Sequence, residues 1–152
     1  FIVEGNGIKI GVLTDIGTAC ERVIHYFKQC HAAFLETNYD EQMLETGRYP
    51  LYLKNRIRNG KGQLSNTQAV QLFLEHKPAF MTHLFLSHLS KNNNSPKIVK
   101  ELFARIAGPT KIIIASRNKE TPVYHIRNLP GYNQRLSKSS EINVASQLSL
   151  FS

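Results

Sequence analysis

Several features that would assign the chain to a specialised class of protein are scarce or missing. Its 152 residues include only two cysteines, Cys20 and Cys30, too few for a disulfide framework or a thiolate zinc site. We interpret both as reduced core residues. No apolar run approaches the roughly 20 residues of a membrane span, and no basic stretch leads into an apolar segment at the N-terminus. These absences predict a soluble, cytoplasmic protein without membrane contacts.

Common catalytic motifs are absent as well. Gly60 and Gly62 do not predict a phosphate-binding loop, because they follow a predicted helix rather than a strand and lack a third glycine. The sequence holds no Gly-x-Ser-x-Gly segment and no cysteine placed to act with a histidine. A serine or cysteine nucleophile is therefore not indicated.

Acidic residues are few in the second part of the chain. The whole sequence has 19 lysines and arginines against 11 acidic residues, a formal net charge of +8. Residues 1–60 carry seven of each sign, whereas residues 61–152 carry twelve basic and four acidic side chains. Such an excess favours a polyanionic partner such as nucleic acid, because neutralising phosphates releases counterions. A solvated positive face is the alternative, since basic surfaces are common.

The remaining composition, 41% hydrophobic and 20% charged residues, is typical of one compact domain. A β-hairpin is predicted over residues 2–4 and 8–13, because Gly5-Asn6-Gly7 tolerates positive φ. The Ser65-x-x-Gln68 spacing of a capping box predicts a helix that runs to about residue 77. The other predicted elements are helices over 18–29, before Gly47, after Pro50 and over 97–107, a loop over 59–62, and strands over 32–35, 83–87 and 111–115.

The alternation of strands and helices predicts an α/β fold, with a mainly parallel or mixed sheet covered by helices. Beyond Pro130 the chain is rich in serine and asparagine, which indicates a loose tail. In α/β folds, functional side chains collect at strand ends and in the loops that follow them. Polar clusters at such positions are therefore the candidates for a functional site.

Three residues at predicted strand ends have side chains suited to chemistry. Asp15 follows the strand over 8–13, where it suits either a metal ligand or a cap for the next helix. His88 follows the strand over 83–87, and imidazole with a carboxylate is a ligand set that zinc or manganese accepts, although a lone histidine is more often structural. Glu36 either orients a histidine or contacts substrate, or it only keeps its loop soluble. His83, at the opposite strand end, is interpreted as structural.

Taken in order, the polar clusters resemble the later half of the metallo-β-lactamase-fold hydrolases of the YycJ/WalJ type and, more distantly, ribonuclease Z. The resemblance covers residues 2–116. The segments that carry it are Gly11-Val12-Leu13-Thr14-Asp15-Ile16-Gly17, Leu35-Glu36-Thr37-Asn38-Tyr39-Asp40, Gly47-Arg48-Tyr49-Pro50, Gly62-Gln63-Leu64-Ser65-Asn66 and Leu86-Ser87-His88-Leu89-Ser90-Lys91-Asn92-Asn93.

The resemblance implies half of an αββα sandwich with a two-metal site, zinc or manganese, at the edge of the sheet. It implies a phosphodiesterase acting on nucleic acid, an exonuclease that degrades DNA, in preference to RNA, from the 5′ end. By position, Asp15 matches the bridging carboxylate ligand and His88 the last histidine ligand. Glu36 matches an acid that supports a histidine, and Gln63 stands where that histidine is expected. Substrate contacts are expected from Asn38, Ser65, Asn66, Ser90 and Asn92.

Two departures from the family pattern limit what this chain is expected to do alone. The His-x-His-x-Asp-His metal motif is not in the sequence, so residues 1–130 are predicted to be the C-terminal part of such a domain, partnered by the missing N-terminal half, with 131–152 as a flexible tail. Asp15 and His88 alone predict weak metal binding and no turnover. Gln63 cannot transfer a proton. A non-catalytic nucleic-acid-binding domain and a small interaction module are the competing interpretations.

Overall fold

The computed structural model describes residues 1–127, except for the side chains of residues 60 and 61. The strands are β1 (Ile2–Gly5), β2 (Ile8–Leu13), β3 (Ala32–Glu36), β4 (His83–Ser87) and β5 (Lys111–Ile114). The helices are α1 (Glu21–Phe27), α2 (Glu41–Thr46), α3 (Leu51–Arg56), α4 (Asn66–His76) and α5 (Pro96–Ala104), and a π-helical turn, Ile57–Lys61, follows α3. No helix among the described residues is long and apolar enough to cross a membrane.

The first two strands form the predicted hairpin. They pair antiparallel, with Gly5 opposite Ile8, so two residues make the turn. Asn6 and Gly7 both have positive φ, 50° and 72°, the conformation that lets a two-residue turn follow the twist of its strands. The hairpin is therefore explained by its turn sequence.

The five strands form one sheet in the order β1-β2-β3-β4-β5. Strands β2 to β5 are parallel, and Leu13, Leu35 and Leu86 lie side by side in the register. The predicted α/β class with a mixed sheet is confirmed. Because parallel strands end at the same edge, residues that follow β2, β3, β4 and β5 meet there.

Helices α1, α4 and α5 pack on one face of this sheet. Their phenylalanines Phe27, Phe73 and Phe103 are fully buried, and the rings of Phe73 and Phe103 lie 5.7 Å apart. On the other face, Phe34 stacks on Phe85 at 4.5 Å. Within the described part of the chain, the segment carrying Tyr124 and Ile126 packs against that second face. One sheet with one helical layer matches half of an αββα sandwich.

Some predicted boundaries and one predicted environment are wrong. Helix α1 begins at Glu21 rather than residue 18, because Cys20 still has extended backbone, and α5 ends at Ala104 rather than residue 107. The predicted loop over 59–62 overlaps the π-helical turn. Cys20 is exposed, whereas Cys30 lies in the core as expected. The predicted tail, residues 131–152, lies outside the described residues.

Replacing Phe103 by alanine should lower the free energy of unfolding by about 3–5 kcal/mol, because it leaves a cavity between α5 and α4. Leu74→Ala on α4 is the matched control. Leu74 is 59% exposed, so its truncation should cost less than about 0.5 kcal/mol. Urea unfolding midpoints of the three proteins measure both values. Equal costs for the two variants would contradict the placement of Phe103 in the core.

Candidate active site

Three side chains that could ligate a metal converge at the carboxyl edge of the sheet. Asp15 follows β2, Glu36 ends β3 and His88 follows β4, so adjacent strands supply one residue each. Each offers a ligand atom, and the three atoms lie within 4.8 Å of one another. His88 Nδ1 is 3.4 Å from Asp15 Oδ1, and both of these side chains are accessible from solvent. The structure thus brings together the two predicted ligands and Glu36.

The backbone at Asp15 and His88 is left-handed, with φ of 55° and 58°. Few residues other than glycine adopt this conformation, although aspartate and histidine are among those that tolerate it. It turns the chain sharply after each strand. Asp15 does not cap helix α1, whose N-cap is Cys20, and that alternative from the sequence is therefore removed.

Glu36 is fully buried at the centre of the cluster. Its Oε2 accepts a hydrogen bond of 2.9 Å from the backbone N–H of Ile16. Oε1 has no hydrogen-bond partner among the described residues. Burial, opposed by the backbone N–H groups of Ile16 and Leu64 and assisted by the negative charge of Asp15, raises the pKa of Glu36 from 4.5 to about 7.

Gln63 is held by Asn38 rather than by Glu36. The Asn38 Nδ2 donates 2.9 Å to Gln63 Oε1 and 2.8 Å to the carbonyl oxygen of His88. The Asn38 backbone is also bound on both sides, since its N–H donates to Leu64 O and its carbonyl accepts from the Ser90 N–H. One asparagine therefore connects the loops after β3 and β4 to the segment before α4.

The five predicted substrate residues fall into two groups. Asn38 and Ser90 line the cavity beside the cluster, and exposed Asn92 donates 3.3 Å to the Tyr49 hydroxyl. Ser65 and Asn66 are buried and do not line it. Ser65 forms the predicted capping box of α4 with Gln68, and Asn66 exchanges hydrogen bonds with Asn94 in the interior. The side chains of Ser65 and Asn66 thus support the site from behind.

The cavity has a volume of about 1080 Å³ and includes residues that sequence reasoning missed. Arg117, Ser116 and Asn118 come from the segment after β5, and Lys91 comes from the loop after β4. Arg117 Nη2 donates 2.7 Å to the Leu89 carbonyl and so joins these two segments. The strand-end rule that selected Asp15 applies equally to β5 and would have indicated this segment.

Comparison with known proteins gives two related findings. The chain is 30% identical over 100 residues to exodeoxyribonuclease YycJ of Bacillus anthracis, covering 66% of this chain and 38% of that protein. It is 32% identical over 91 residues to exodeoxyribonuclease WalJ of Streptococcus pneumoniae, covering 60% of this chain and 32% of WalJ. No family model matches the chain. The chain is therefore related to the YycJ/WalJ type, as its motifs indicate, and it spans about a third of the length of these relatives.

The pH dependence of stability should report the burial of Glu36. Folded Glu36 keeps its proton up to about pH 7, whereas in the unfolded chain it loses it near 4.5. Between these values the folded state binds more protons, so this contribution to stability falls as pH rises. Relative to Glu36→Gln, the unmodified chain should lose up to about 3 kcal/mol between pH 4.5 and pH 8.

Urea unfolding of both proteins with a chelator, at several pH values, measures this difference. Glu101→Gln, an exposed carboxylate on α5, is the control and should keep the pH profile of the unmodified chain. Parallel profiles for Glu36→Gln and the unmodified chain would show that Glu36 ionises normally.

Proposed function

We propose that the chain forms part of a metal-dependent phosphodiesterase, an exonuclease that degrades DNA, in preference to RNA, from the 5′ end. The observation that carries this proposal is the convergence of Asp15, Glu36 and His88 beside a large cavity that Lys91 and Arg117 also line. Metal ligands next to cations suit the hydrolysis of a polyanionic substrate. The relatives' names support DNA and exonucleolytic cleavage, while the 5′ direction rests on the motif resemblance. The two free cysteines support a cytoplasmic setting.

The residues present fit a divalent cation such as zinc or manganese. They offer carboxylate oxygen and imidazole nitrogen, and buried Glu36 Oε1 accepts no hydrogen bond from the residues that the structure describes. A cation bound here would activate water and stabilise negative charge on a phosphate. Two such ions, as the resemblance implies, need more ligands than Asp15 and His88. The His-x-His-x-Asp-His motif that would supply them is not in this sequence.

The cavity offers donors for the phosphates of the substrate. Lys91 and Arg117 supply positive charge, and Ser90 and Asn38 supply a hydroxyl and an amide. Because Gln63 Oε1 accepts from Asn38, the Gln63 amide nitrogen remains as a donor to a phosphate oxygen. These groups would hold the backbone of the nucleic acid without reading its sequence.

The second face of the sheet supports a partner that completes the domain. The segment carrying Tyr124 and Ile126 already packs on this face, but Ile10 and Phe34 remain only partly buried. A second sheet, packed about 10 Å away, would complete the cover. We assign this layer to a half-domain carrying the His-x-His-x-Asp-His motif, with residues 1–130 as the C-terminal half. The apolar side chains of the face include Ile10, Phe34, Phe85 and Ile113.

A non-catalytic nucleic-acid-binding domain is the second candidate. The specific observation that favours it is Gln63, which lines the cavity where the resemblance places a histidine and which has no acid–base function near neutral pH. In that case Lys91 and Arg117 would bind phosphate without cleavage. Measured cleavage of DNA distinguishes the exonuclease from the non-catalytic binding domain.

Asp15→Ala and His88→Ala should each lower exonuclease turnover by more than about 100-fold in a protein that combines this chain with a His-x-His-x-Asp-His half. Removing a ligand should exceed the 10–100-fold effect of residues that only support ligands. The 152-residue chain alone should show no turnover. Release of nucleotides from DNA labelled at either end, with Mn²⁺ or Zn²⁺, measures rate and direction.

The matched controls for this experiment are Glu101→Ala and His125→Ala, an exposed carboxylate and an exposed imidazole outside the cluster. Both should retain full turnover. Full activity of Asp15→Ala and His88→Ala would contradict the ligand assignment. Metal-dependent cleavage by the isolated chain that Asp15→Ala removes would contradict the need for a second half.

Gln63→His should raise turnover in the same combined protein, because a general acid or base typically contributes 10²–10⁴-fold. The variant should also gain a pH dependence near the histidine pKa of about 6.5. Initial rates measured across pH 5–8 for both proteins test this. An unchanged rate and pH profile would restrict Gln63 to ordering the segment before the capping box, and Asp15 and His88 would keep their assignments.

A further inference from the structure

The carboxyl group of Glu36 contains an acceptor that the described chain leaves unsatisfied. Glu36 is fully buried, and Oε2 already accepts from the Ile16 N–H. Oε1 is buried too and has no hydrogen-bond partner in the described part of the chain. A buried polar atom without a hydrogen bond costs free energy, and the cost rises if the group is charged. The fold therefore retains, at one defined position, an oxygen atom whose burial costs free energy.

The Glu36 carboxyl group lies beside a second carboxylate and an imidazole. Among the side chains that the structure describes, residues 1–59 and 62–127, the ion pairs formed by lysine and arginine involve Glu4 and Glu45, and none reaches Glu36. The carboxylate of Asp15 contributes negative charge at Glu36. A like charge disfavours ionisation of Glu36, and a cation bound between the two carboxylates would remove this repulsion. The missing component of the cluster is positive charge.

The geometry of the cluster suits one ion. Ligand atoms bound to a common zinc or manganese at about 2.1 Å lie roughly 3–3.5 Å apart. Asp15 Oδ1 and His88 Nδ1, 3.4 Å apart, already meet this spacing, and all three ligand atoms lie within 4.8 Å. The Asp15 and His88 side chains are accessible and can move toward Glu36, which is fixed by burial and by its bond to Ile16.

We infer that Glu36 is a metal ligand, and that Asp15, Glu36 and His88 form a single-cation site complete within this chain. Two carboxylates and one imidazole leave coordination positions for water and suit Mn²⁺ or Zn²⁺. The sequence predicts two ligands, Asp15 and His88, and Glu36 adds a third. We therefore expect the metal ion to bind more tightly than the sequence predicts. The inference deepens the proposed function at the same edge, but it does not depend on turnover.

Titration of the purified 152-residue chain with Mn²⁺ alone tests the inference, with free Mn²⁺ counted by electron paramagnetic resonance. The expected result is one ion per chain. Glu36→Gln keeps the shape of the side chain but removes its charge, and should weaken binding at least tenfold, as should Asp15→Asn. Glu101→Gln, outside the cluster, should bind as the unmodified chain does.

A second measurement separates loss of a ligand from loss of fold. Mn²⁺ should raise the unfolding temperature of the unmodified chain and of Glu101→Gln, but not that of Glu36→Gln. Circular dichroism without metal should be the same for all three proteins. If Glu36→Gln does not fold, Glu36→Asp replaces it, since its shorter carboxylate should also weaken binding.

Two results would overturn the inference: no binding of Mn²⁺ by the unmodified chain, or tight binding that Glu36→Gln and Glu36→Asp leave unchanged. Neither result depends on DNA cleavage. Failure of the proposed exonuclease would instead appear as metal binding with normal stoichiometry and no turnover in the combined protein.

Discussion

The parallel pairing of β3 with its two neighbours determines where the chemistry of this chain lies. Leu35 pairs with Leu13 on one side and with Leu86 on the other, so β2, β3 and β4 end at the same level. Asp15, Glu36 and His88 meet because of that register and not because of their separation in the sequence. A shift of one residue along β3 would send alternate side chains to the opposite face and move Leu35 out of the helix-covered core. The packing of the core therefore also fixes the geometry of the site.

Side-chain amides hold the loops above this edge. Asn38 joins Gln63 to the His88 carbonyl, and Asn94 donates 2.7 Å to the Thr37 carbonyl while it exchanges hydrogen bonds with Asn66. These amides satisfy backbone and side-chain groups that have no place in a strand or helix. The bonds among Asn66, Asn94 and the Thr37 carbonyl are buried, and such buried hydrogen bonds favour one loop arrangement. Within the part of the chain that the structure describes, Oε1 of Glu36 is a buried oxygen without a hydrogen bond.

Local signals predicted much of the fold, because they act over a few residues. The turn at Asn6 gave the hairpin, Ser65 and Gln68 gave the capping box, and the strand-end rule placed Asp15 and His88 at one edge. Contacts between distant segments could not be predicted from such local signals. The hydrogen bond from the Ile16 N–H to Glu36 spans 20 residues, and the one from Asn38 to Gln63 spans 25 residues.

The prediction that Ser65 and Asn66 contact substrate had the same weakness. The motif identified the segment, but the motif does not indicate which of its side chains turn inward. Capping by Ser65 and the pairing of Asn66 with Asn94 decide that question, and both depend on where α4 and the segment before α5 pack. Arg117 was missed because its role depends on the Leu89 carbonyl of another loop.

The edge of the sheet combines three features that each reduce stability. Asp15 and His88 adopt the left-handed conformation that glycine adopts at lower cost, and Glu36 is buried with an unpaired oxygen. The core on the other side of these strands shows ordinary apolar packing. Strained backbone and an unsatisfied buried group cluster at functional sites, where a ligand restores part of the free energy. A cation bound by Asp15, Glu36 and His88 would pair with the buried oxygen and compensate part of this cost. The side-chain ligand atoms of the three residues lie within 4.8 Å of one another, an arrangement that suits binding better than stabilisation of the fold.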